Sequence, residues 1–321
     1  MPTDTEILTA AARDALRAPS ALNTQPWTWY IRDDVLELYS DRGRQLRVAD
    51  PDGRLLLLSC GIALHHARVS LAAAGYAAVV RPLVESWDDN VLARVQLGGT
   101  RPVTDHDQAM GDAIARRRTD RRPFADRPVP TDVLVALETA AESAGARLHI
   151  ARLGQMPMLA IAVAQAGMAE MSDPEYRDEL MRWTNRPPWS GDGVPPEATV
   201  ERSPRRVPVR QLALEPNFGQ PVETIGDRGA AYLVLYGASD SAADWFAAGE
   251  VASNVLLTAT TFGLATEPMS DAIEVAHPRN LITGLLPSGS HPYLVLRCGW
   301  SEHTDPLPLV ARRDPAEAII T

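Results

Sequence analysis

The sequence of 321 residues contains no lysine, so all 31 of its lysine-plus-arginine positions are arginine. This absence excludes pyridoxal-phosphate enzymes, which need a Schiff-base lysine, and Walker A proteins, whose lysine contacts the nucleotide phosphates. The GxSxG, HExxH and GxGxxG patterns of hydrolases, zinc proteases and Rossmann dinucleotide-binding proteins are also missing. The chain therefore lacks the signatures of several large enzyme classes.

Cysteine is scarce, because only Cys60 and Cys298 occur, far apart and without CxxC spacing. This excludes a disulfide framework and a cysteine-based zinc site, and it fits a reducing compartment, so we expect a cytoplasmic protein without a bound metal. No run approaches 18 apolar residues, and the acidic start MPTDTEIL has no basic segment. We therefore expect neither a transmembrane helix nor a signal peptide.

The charge and size limit the partners and the architecture. A formal net charge of −10 argues against nucleic acid or an anionic membrane as a partner. Hydrophobic residues make up 45% and charged residues 22% of the chain, as in ordinary globular proteins. The length indicates two domains or one large fused unit.

Helical and strand patterns alternate along most of the chain. Helices are predicted for residues 3–17, 55–74, 105–115, 131–144, 156–171, 174–183 and 241–262. Strands are predicted for residues 27–32, 35–39, 77–81, 91–97, 147–151, 231–236 and 293–297, with a turn at Asp33–Asp34. This mixture predicts an α+β fold.

Two of the predicted helices resemble each other in the spacing of their glycines. The glycines at 61 and 75 in the first and at 249 and 263 in the second are related by one shift of 188 positions (249 − 61 and 263 − 75). Strand, helix and strand patterns recur around both helices. We interpret this as an internal duplication that replaces a symmetric homodimer, although two alanine-rich helices can also match by chance.

The segment 19–27, Pro-Ser-Ala-Leu-Asn-Thr-Gln-Pro-Trp, is the most informative stretch of the sequence. Because prolines bracket it, we expect an extended backbone that exposes amides, a hydroxyl and carboxamides just after a helix. Such groups suit the polar edge of a planar heterocycle or a ribityl chain. The alternative is a plain helix-to-strand connector in which Trp27 anchors the core.

A second motif, 116–122, places five arginines among seven residues, and Arg312–Arg313 adds a basic pair near the end of the chain. Guanidinium groups bind phosphate oxygens in pairs, and Thr119 adds a hydroxyl donor. Clustered cations repel each other unless an anion lies among them, which indicates a phosphate ligand. The alternative is a solvated basic loop that pairs with surface acids.

Together these segments resemble the nitroreductase-like FMN flavoproteins. Residues 19–27 are similar to the family's P-S-x-x-N-x-Q-P-W segment, and residues 117–121 to its R-R-S-x-R segment. Residues 124–130 resemble the stretch that follows, and 263–269 resemble the loop that lies against the flavin ring. Gly299–Trp300 and the basic pair resemble the terminal strand and tail, so the resemblance covers nearly the whole chain.

The distribution of the motifs indicates a single composite site. In the family, FMN lies between two subunits that each carry both motifs. Here the Pro-Ser segment occurs only in the first half and the arginine segment only in the second. This resembles the fused Acg subfamily and implies a three-layer, nitroreductase-like fold duplicated in one chain, so that a monomer mimics a dimer. The implied halves are residues 1–104 and 105–321.

The resemblance also implies roles for individual residues. Arg117, Thr119 and either Arg312 or Arg313 would hold the phosphate, Arg121 would lie near the pyrimidine edge of the ring, and backbone amides around Glu267 and Pro268 would face N5. No side chain is expected to act as a nucleophile, because the flavin performs the redox chemistry. The full set of implied cofactor-binding residues is Pro19, Ser20, Ala21, Asn23, Gln25, Arg117, Arg118, Thr119, Arg121, Thr266, Glu267, Pro268, Met269, Arg312 and Arg313.

Residues 185–226 are too long for an ordinary connector, so we expect a lid inserted in the second half. Trp189, Arg205, Arg206 and Phe218 are its candidates for covering the ring. Two functions follow. The first is an oxidoreductase that passes electrons from NAD(P)H through FMN to a nitroaromatic or quinone. The alternative is a protein that sequesters FMN beneath a lid that blocks NAD(P)H and substrate.

The motif distribution predicts one FMN per chain rather than two, because each half lacks the segment that the other supplies. Flavin released from the purified protein, quantified by absorbance and chromatography against protein concentration, should match the chain one to one. A ratio of two, or FAD in place of FMN, would contradict the single composite site.

Overall fold

Helices and strands alternate in a computed structural model that describes residues 2–199, 205–210, 212, 226–303 and 305–321. The helices are α1 (Asp4–Ala15), α2 (Arg54–Ala73), α3 (Asp105–Arg116), α4 (Thr131–Ser143), α5 (Met156–Ser172), α6 (Pro174–Thr184), α7 (Ala242–Thr261), α8 (Asp271–Glu274), α9 (Ala276–Thr283) and α10 (Pro315–Ala318). The strands are β1 (Trp27–Arg32), β2 (Val35–Ser40), β3 (Tyr76–Pro82), β4 (Val91–Thr100), β5 (Arg147–Ile150), β6 (Ala231–Gly237), β7 (Ala265–Met269), β8 (His291–Gly299) and β9 (Ile319–Ile320). Each predicted helix and strand is present within three residues of its expected ends.

Two antiparallel sheets share one strand order. The first runs β3-β4-β2-β1 and the second runs β7-β8-β6-β5, so each strand has a counterpart at the same place in the other sheet. The first sheet has one more strand, because β9 pairs in parallel with β1. The matching order supports the interpretation of a duplicated unit. The division at residue 104 stays a prediction, and the last strand of the chain lies in the first sheet.

The two halves differ most between their first two strands. In the first half, Asp33 and Asp34 form the predicted turn with positive φ angles of 49° and 58°, which two-residue hairpins of this type require. In the second half, the connection from β5 to β6 contains α5, α6 and the proline-rich segment after them. The insertion therefore occupies the place of a tight turn, and it begins before residue 185.

The central pair of helices, α2 and α7, obeys the 188-residue shift over its full length, since both ends of α7 lie 188 positions beyond those of α2. Gly61 and Gly249 meet where the helices cross. A Cβ atom added at Gly61 would lie 2.0 Å from the Phe246 carbonyl oxygen, and one added at Gly249 would lie 2.1 Å from the Leu58 carbonyl oxygen. The reciprocal contacts place a pseudo-two-fold axis at this crossing.

Adjacent histidines of α2 pack against Ser253 of α7 rather than a metal. The His65 and His66 Nδ1 atoms lie 2.8 and 2.9 Å from the Ser253 hydroxyl. Burial lowers the pKa of both imidazoles, so both are neutral. Across the described residues, no three histidine, cysteine or acidic side chains group as metal ligands would.

The segment that resembles the family's flavin-facing loop, residues 263–269, is mostly a strand. Residues 265–269 form β7, which pairs with β8 and follows α7 as β3 follows α2. Pro268 cannot donate to a ladder, and β7 tolerates it at the edge of its sheet.

Helix α2 is long and apolar enough to cross a membrane when judged by length and composition alone. However, 83% of its apolar window is buried inside the protein, as expected for the core helix of a folded domain. Side chains from both sheets, including Trp29 and Leu235, belong to the same core as Leu64 of α2 and Trp245 of α7.

The helix crossing predicts opposite effects for two glycine-to-alanine substitutions. Gly61→Ala forces a methyl group against a carbonyl oxygen, so the free energy of unfolding should fall by about 1–3 kcal/mol. Gly167→Ala in α5 meets open space and should raise it by roughly 0.5–1 kcal/mol, because alanine favours helix. Urea titration followed by circular dichroism measures both. An unchanged Gly61→Ala protein would refute the close crossing.

Candidate functional site

Two adjoining cavities lie between the halves of the chain. The inner chamber and the basic cavity share the lining residues Pro19, Ser20, Thr119 and Arg121. The predicted Pro-Ser and arginine segments therefore meet at the junction of the two cavities.

The inner chamber is built on one face of α2 and the end of β7. Leu55, Leu58, Ser59 and Ile62 are spaced at i, i+3, i+4 and i+7, so they share one side of the helix. The opposite part of the lining comes from residues 267–271. Polar and charged residues, among them Arg121, Glu267 and Asp271, make up nearly half of the lining. A flat ligand with apolar faces and polar edges matches this mixed lining.

The Pro-Ser segment is curled rather than extended. It contains a short 3₁₀ turn, Ala21–Asn23, and Leu22, Asn23 and Gln25 have positive φ angles. The Ser20 hydroxyl accepts a hydrogen bond from the Gln25 backbone N–H at 2.8 Å, which closes the loop. Proline restricts itself and the residue before it, so the positions between were free to turn.

The carboxamides of this segment have different surroundings. Asn23 lines the basic cavity, donates to the Gly193 carbonyl at 2.9 Å and accepts from Arg312 at 3.2 Å. Gln25 is fully buried and lines neither cavity; it donates to the Gly191 carbonyl and accepts from the Arg313 backbone N–H. Gln25 therefore ties the segment to the insertion and the C-terminal tail.

The basic cavity gathers cations without a facing acid. Among the described residues that line it, none is acidic, whereas five are arginine: Arg17, Arg117, Arg118, Arg121 and Arg312. Arg117 is 3% exposed, and its Nε and Nη1 atoms have no hydrogen-bond partner among the described residues. Burial and the neighbouring cations Arg312 and Arg118 lower the pKa of Arg117 to about 9. An anion in this cavity would accept hydrogen bonds from the free donors and reduce the repulsion between the arginines.

The two arginines of the C-terminal tail, Arg312 and Arg313, have different surroundings. Arg312 lines the basic cavity, where burial together with Arg118 and Arg17 lowers its pKa to about 10. Arg313 lines neither cavity and donates to the backbone carbonyls of Gln25 and Trp27 at 3.2 and 2.7 Å. Of the predicted pair, Arg312 has the position of a ligand contact and Arg313 that of a structural tie.

Only some of the residues that follow α7 line the inner chamber. Glu267, Pro268 and Met269 line the inner chamber, but Thr266 does not; its carbonyl accepts the Asp120 backbone N–H at 2.9 Å. The Glu267 carboxylate lies 2.9 Å from the fully buried Arg297 guanidinium. Pro268 has no N–H, so a backbone donor from this segment would have to come from its neighbours. The expectation that amides around Glu267 and Pro268 face N5 stays a prediction.

The insertion lines both cavities through residues that the sequence did not single out. Val194 and Ala198 line the basic cavity, and Arg210 and Leu212 line the chamber. Three of the predicted covering residues, Trp189, Arg205 and Arg206, line neither cavity. Trp189 is 86% exposed, and an Arg205 guanidinium nitrogen lies 3.7 Å from an Asp227 carboxylate oxygen. Arg206 is exposed, and Phe218 lies outside the described residues.

Sequence reasoning also missed a buried network around Arg210. Its guanidinium contacts Glu274 at 2.7 Å, Glu170 at 3.3 Å and the Ser270 hydroxyl at 3.2 Å, and it touches the Tyr176 hydroxyl. The members come from α5, α6, the insertion and α8. No local spacing connects them, so only the fold brings them together.

Matched sheets meet around a glycine crossing, and a cleft joins a chamber of mixed polarity to an arginine cavity. This arrangement fits a nitroreductase-like protein. The chain belongs to this family. It is 37% identical, over 98% of its length and 92% of the relative's, to a Mycobacterium tuberculosis protein (strain H37Rv) provisionally named NAD(P)H nitroreductase Rv3131. It is 33% identical, over 96% of its length and 94% of the relative's, to the provisionally named NAD(P)H nitroreductase acg of the same strain. The expected resemblance to this family, Acg included, is confirmed.

Solved structures give more distant matches. A nitroreductase from Bacteroides fragilis with bound FMN is 14% identical and covers 62% of this chain and 92% of its own, with a TM-score of 0.36. A protein from Anabaena variabilis, provisionally named a nitroreductase, is 10% identical, covers 84% and 69%, and has a TM-score of 0.45. A search of family models found no match.

Two buried arginines of the site should respond oppositely to replacement by methionine. Arg117→Met removes an unpaired cation, so the apo protein should keep its stability but lose its stabilisation by FMN, which is about 2.7 kcal/mol at 100 times the Kd. Arg313→Met breaks charge-assisted bonds and should cost about 1.5–3 kcal/mol while the response to FMN remains. Thermal unfolding with and without FMN measures both. The reverse pattern would exclude Arg117 as an anion contact.

Proposed function

We propose that the two cavities together bind one FMN and that the protein is an FMN-dependent oxidoreductase. The observation that carries this proposal is the junction between a chamber with apolar α2 side chains along one wall and a cavity lined by five arginines and no described acid. FMN has the same division, a planar ring at one end and a phosphate at the other. FAD fits less well, because the arginine cavity favours a ligand that ends at its phosphate.

In this proposal, Arg117, Arg118, Thr119 and Arg312 bind the phosphate, and Ser20 and Asn23 contact the ribityl chain where the cavities join. The bound flavin supplies the hydride and electron chemistry itself. The chain orients the ring and excludes water, and no side-chain nucleophile is required.

Arg121 has the position of an electrostatic stabiliser. It lines both cavities, and its guanidinium donates to the Ala198 carbonyl at 3.1 Å. Burial lowers its pKa, since the neighbouring Glu267 and Asp120 offset that effect only in part. A cation fixed beside the polar edge of the ring favours the negative charge that develops there during reduction.

The proposed reaction passes electrons from NAD(P)H to FMN and then to a nitroaromatic or quinone. The names of the mycobacterial relatives support the reductant and the reaction class. The reciprocal contact of α2 and α7 supports a monomeric protein, because one chain already contains the interface that a homodimer would form. We also propose a cytoplasmic location and small molecules as the only partners.

An alternative function, sequestration of FMN, is favoured by the insertion. Val194, Ala198, Arg210 and Leu212 line the cavities, and this supports a lid formed by the segment to which they belong. Hydride transfer requires the nicotinamide to stack within about 3–3.5 Å of the ring. A lid that covers this face would retain FMN and block the reductant.

Reduction kinetics distinguish the two functions. If the insertion covers the ring, NADPH should reduce the intact protein slowly while dithionite reduces it readily. Leu212→Ala, which trims the chamber wall without removing Arg210, and a Gly/Ser bridge that shortens residues 185–226 should both speed reduction by NADPH. Stopped-flow absorbance of the flavin measures each rate.

Val135→Ala, at an exposed position of α4 outside both cavities, is the matched control and should leave both rates unchanged. Rapid reduction of the intact protein by NADH or NADPH, unaltered in the two lid variants, would contradict the lid and favour the oxidoreductase. Slow reduction that persists after shortening would contradict blockage by this segment.

A further inference from the structure

Asp271 of α8 is a buried carboxyl group in the wall of the inner chamber. It lines the chamber beside Ser270 and is 1% exposed. Neither of its carboxylate oxygens has a hydrogen-bond partner among the described residues. Burial of a carboxyl group without a donor is costly, because the hydrogen bonds that water supplied are not replaced. A ligand in the chamber that donates a hydrogen bond to Asp271 would remove this cost.

The charged groups around Asp271 do not supply the missing donor. Burial raises the pKa of Asp271, and so do Glu274 in α8 and Glu267 in β7. The Arg210 cation and the Ala272 backbone N–H lower this pKa, but neither makes a regular hydrogen bond to the carboxylate. The guanidinium nitrogens of Arg210 contact Glu274 and other side chains instead. Among the described residues, the Asp271 carboxylate is therefore a free acceptor.

Arg121 lies at the same polar end of the chamber as Asp271. Both residues line the chamber. The pKa of each also depends on the same two neighbours, Glu267 and Arg210. The leucine and isoleucine side chains of α2 form a different part of the lining. This end of the chamber therefore offers a ligand both a cationic donor and a carboxylate acceptor.

The isoalloxazine ring of an oxidised flavin has a single N–H group, the imide N3–H, which lies between two carbonyl groups. The other nitrogen and oxygen atoms of the ring accept hydrogen bonds. An acceptor in the chamber wall can therefore pair with the ring at N3 alone, whereas a cation can pair with either neighbouring carbonyl. A few polar groups placed in this way fix the orientation of a bound ligand. Asp271 and Arg121 match the pattern of the imide edge.

We propose that Asp271 is a flavin-binding residue that accepts a hydrogen bond from the imide N3–H of FMN. This inference rests on the proposed binding of FMN. It adds a recognition group for the ring that neither the Pro-Ser segment nor the arginine segment contains. With the N3–H at Asp271 and a neighbouring carbonyl at Arg121, the pyrimidine edge of the ring occupies the polar end of the chamber. Asp271 thus sets the orientation of the ring.

The proposal makes the site selective for flavins with a free imide. A site built to hydrogen-bond a ligand N–H rejects an analogue that lacks this group, because the buried acceptor is then left unpaired. The analogue 3-methyl-FMN has a methyl group in place of the N3 hydrogen and keeps the ribityl chain and the phosphate. It therefore tests Asp271 without disturbing the contacts of the arginine cavity.

The test titrates the full-length apo protein with FMN and with 3-methyl-FMN and follows the flavin fluorescence. The wild type should bind FMN about 10–100-fold more tightly than 3-methyl-FMN. Asp271→Leu keeps a branched side chain but removes the acceptor, so it should bind both flavins with similar affinity. Asp271→Asn keeps a carbonyl oxygen and should restore part of the preference. Asp178→Asn removes a carboxylate at an exposed position of α6 and is the matched control, with the preference of the wild type.

The outcomes separate the role of Asp271 from the proposed function. Equal affinities of the wild type for the two flavins would overturn the role of Asp271 and leave the binding of FMN intact. The same preference in the wild type and in Asp271→Leu would also overturn it, because crowding by the methyl group would then be the cause. A wild-type protein that binds neither flavin would overturn the proposed function itself.

A second readout needs no flavin. Because burial raises the pKa of Asp271 above its unfolded value of about 3.9, the wild type loses stability as the pH rises through this interval. The apo Asp271→Leu protein should therefore be at least as stable as the wild type in urea titrations, with a larger advantage at pH 7 than at pH 4. A marked loss of stability at pH 7 would show that the carboxylate is already paired within the protein and would overturn the proposal.

Discussion

The close approach of α2 and α7 at Gly61 and Gly249 determines the rest of the structure. Side chains at these positions would meet carbonyl oxygens of the other helix, so the two sheets can share one core only because both glycines lack a Cβ. The same contact sets the cleft, because the chamber uses the first turns of α2 on one side and the end of β7 on the other. The close contact between Gly61 and Gly249 thus determines how α2 and β7 are placed on the two sides of the cleft.

The symmetry of the halves makes their differences informative. One half keeps a two-residue turn between its first two strands, and the other inserts two helices and a proline-rich segment there. That insertion contributes to the cavity walls and brings in Arg210, the cation around which buried carboxyl groups gather. Asymmetry between otherwise equivalent halves is therefore concentrated at the proposed site.

The sequence predicted the regular elements well because their apolar periods are strong, and it predicted the meeting of Ser20 with Thr119 through two short motifs. It failed where the signal was not local. The curled backbone of Leu22 and Asn23 depends on a Ser20 hydrogen bond, and the Arg210 network joins residues distant in sequence. The sequence could not distinguish the roles of Arg312 and Arg313. Only the fold shows that Arg312 lines the basic cavity and that Arg313 donates to backbone carbonyls.

The position of β9 has a consequence for resistance to proteolysis. Ile319 and Ile320 complete the first sheet, and Arg312 completes the basic cavity, although all three residues follow the last strand of the second sheet. A single cut in the backbone shortly before Arg312 would therefore expose the edge of β1 and open one wall of the arginine cavity at the same time.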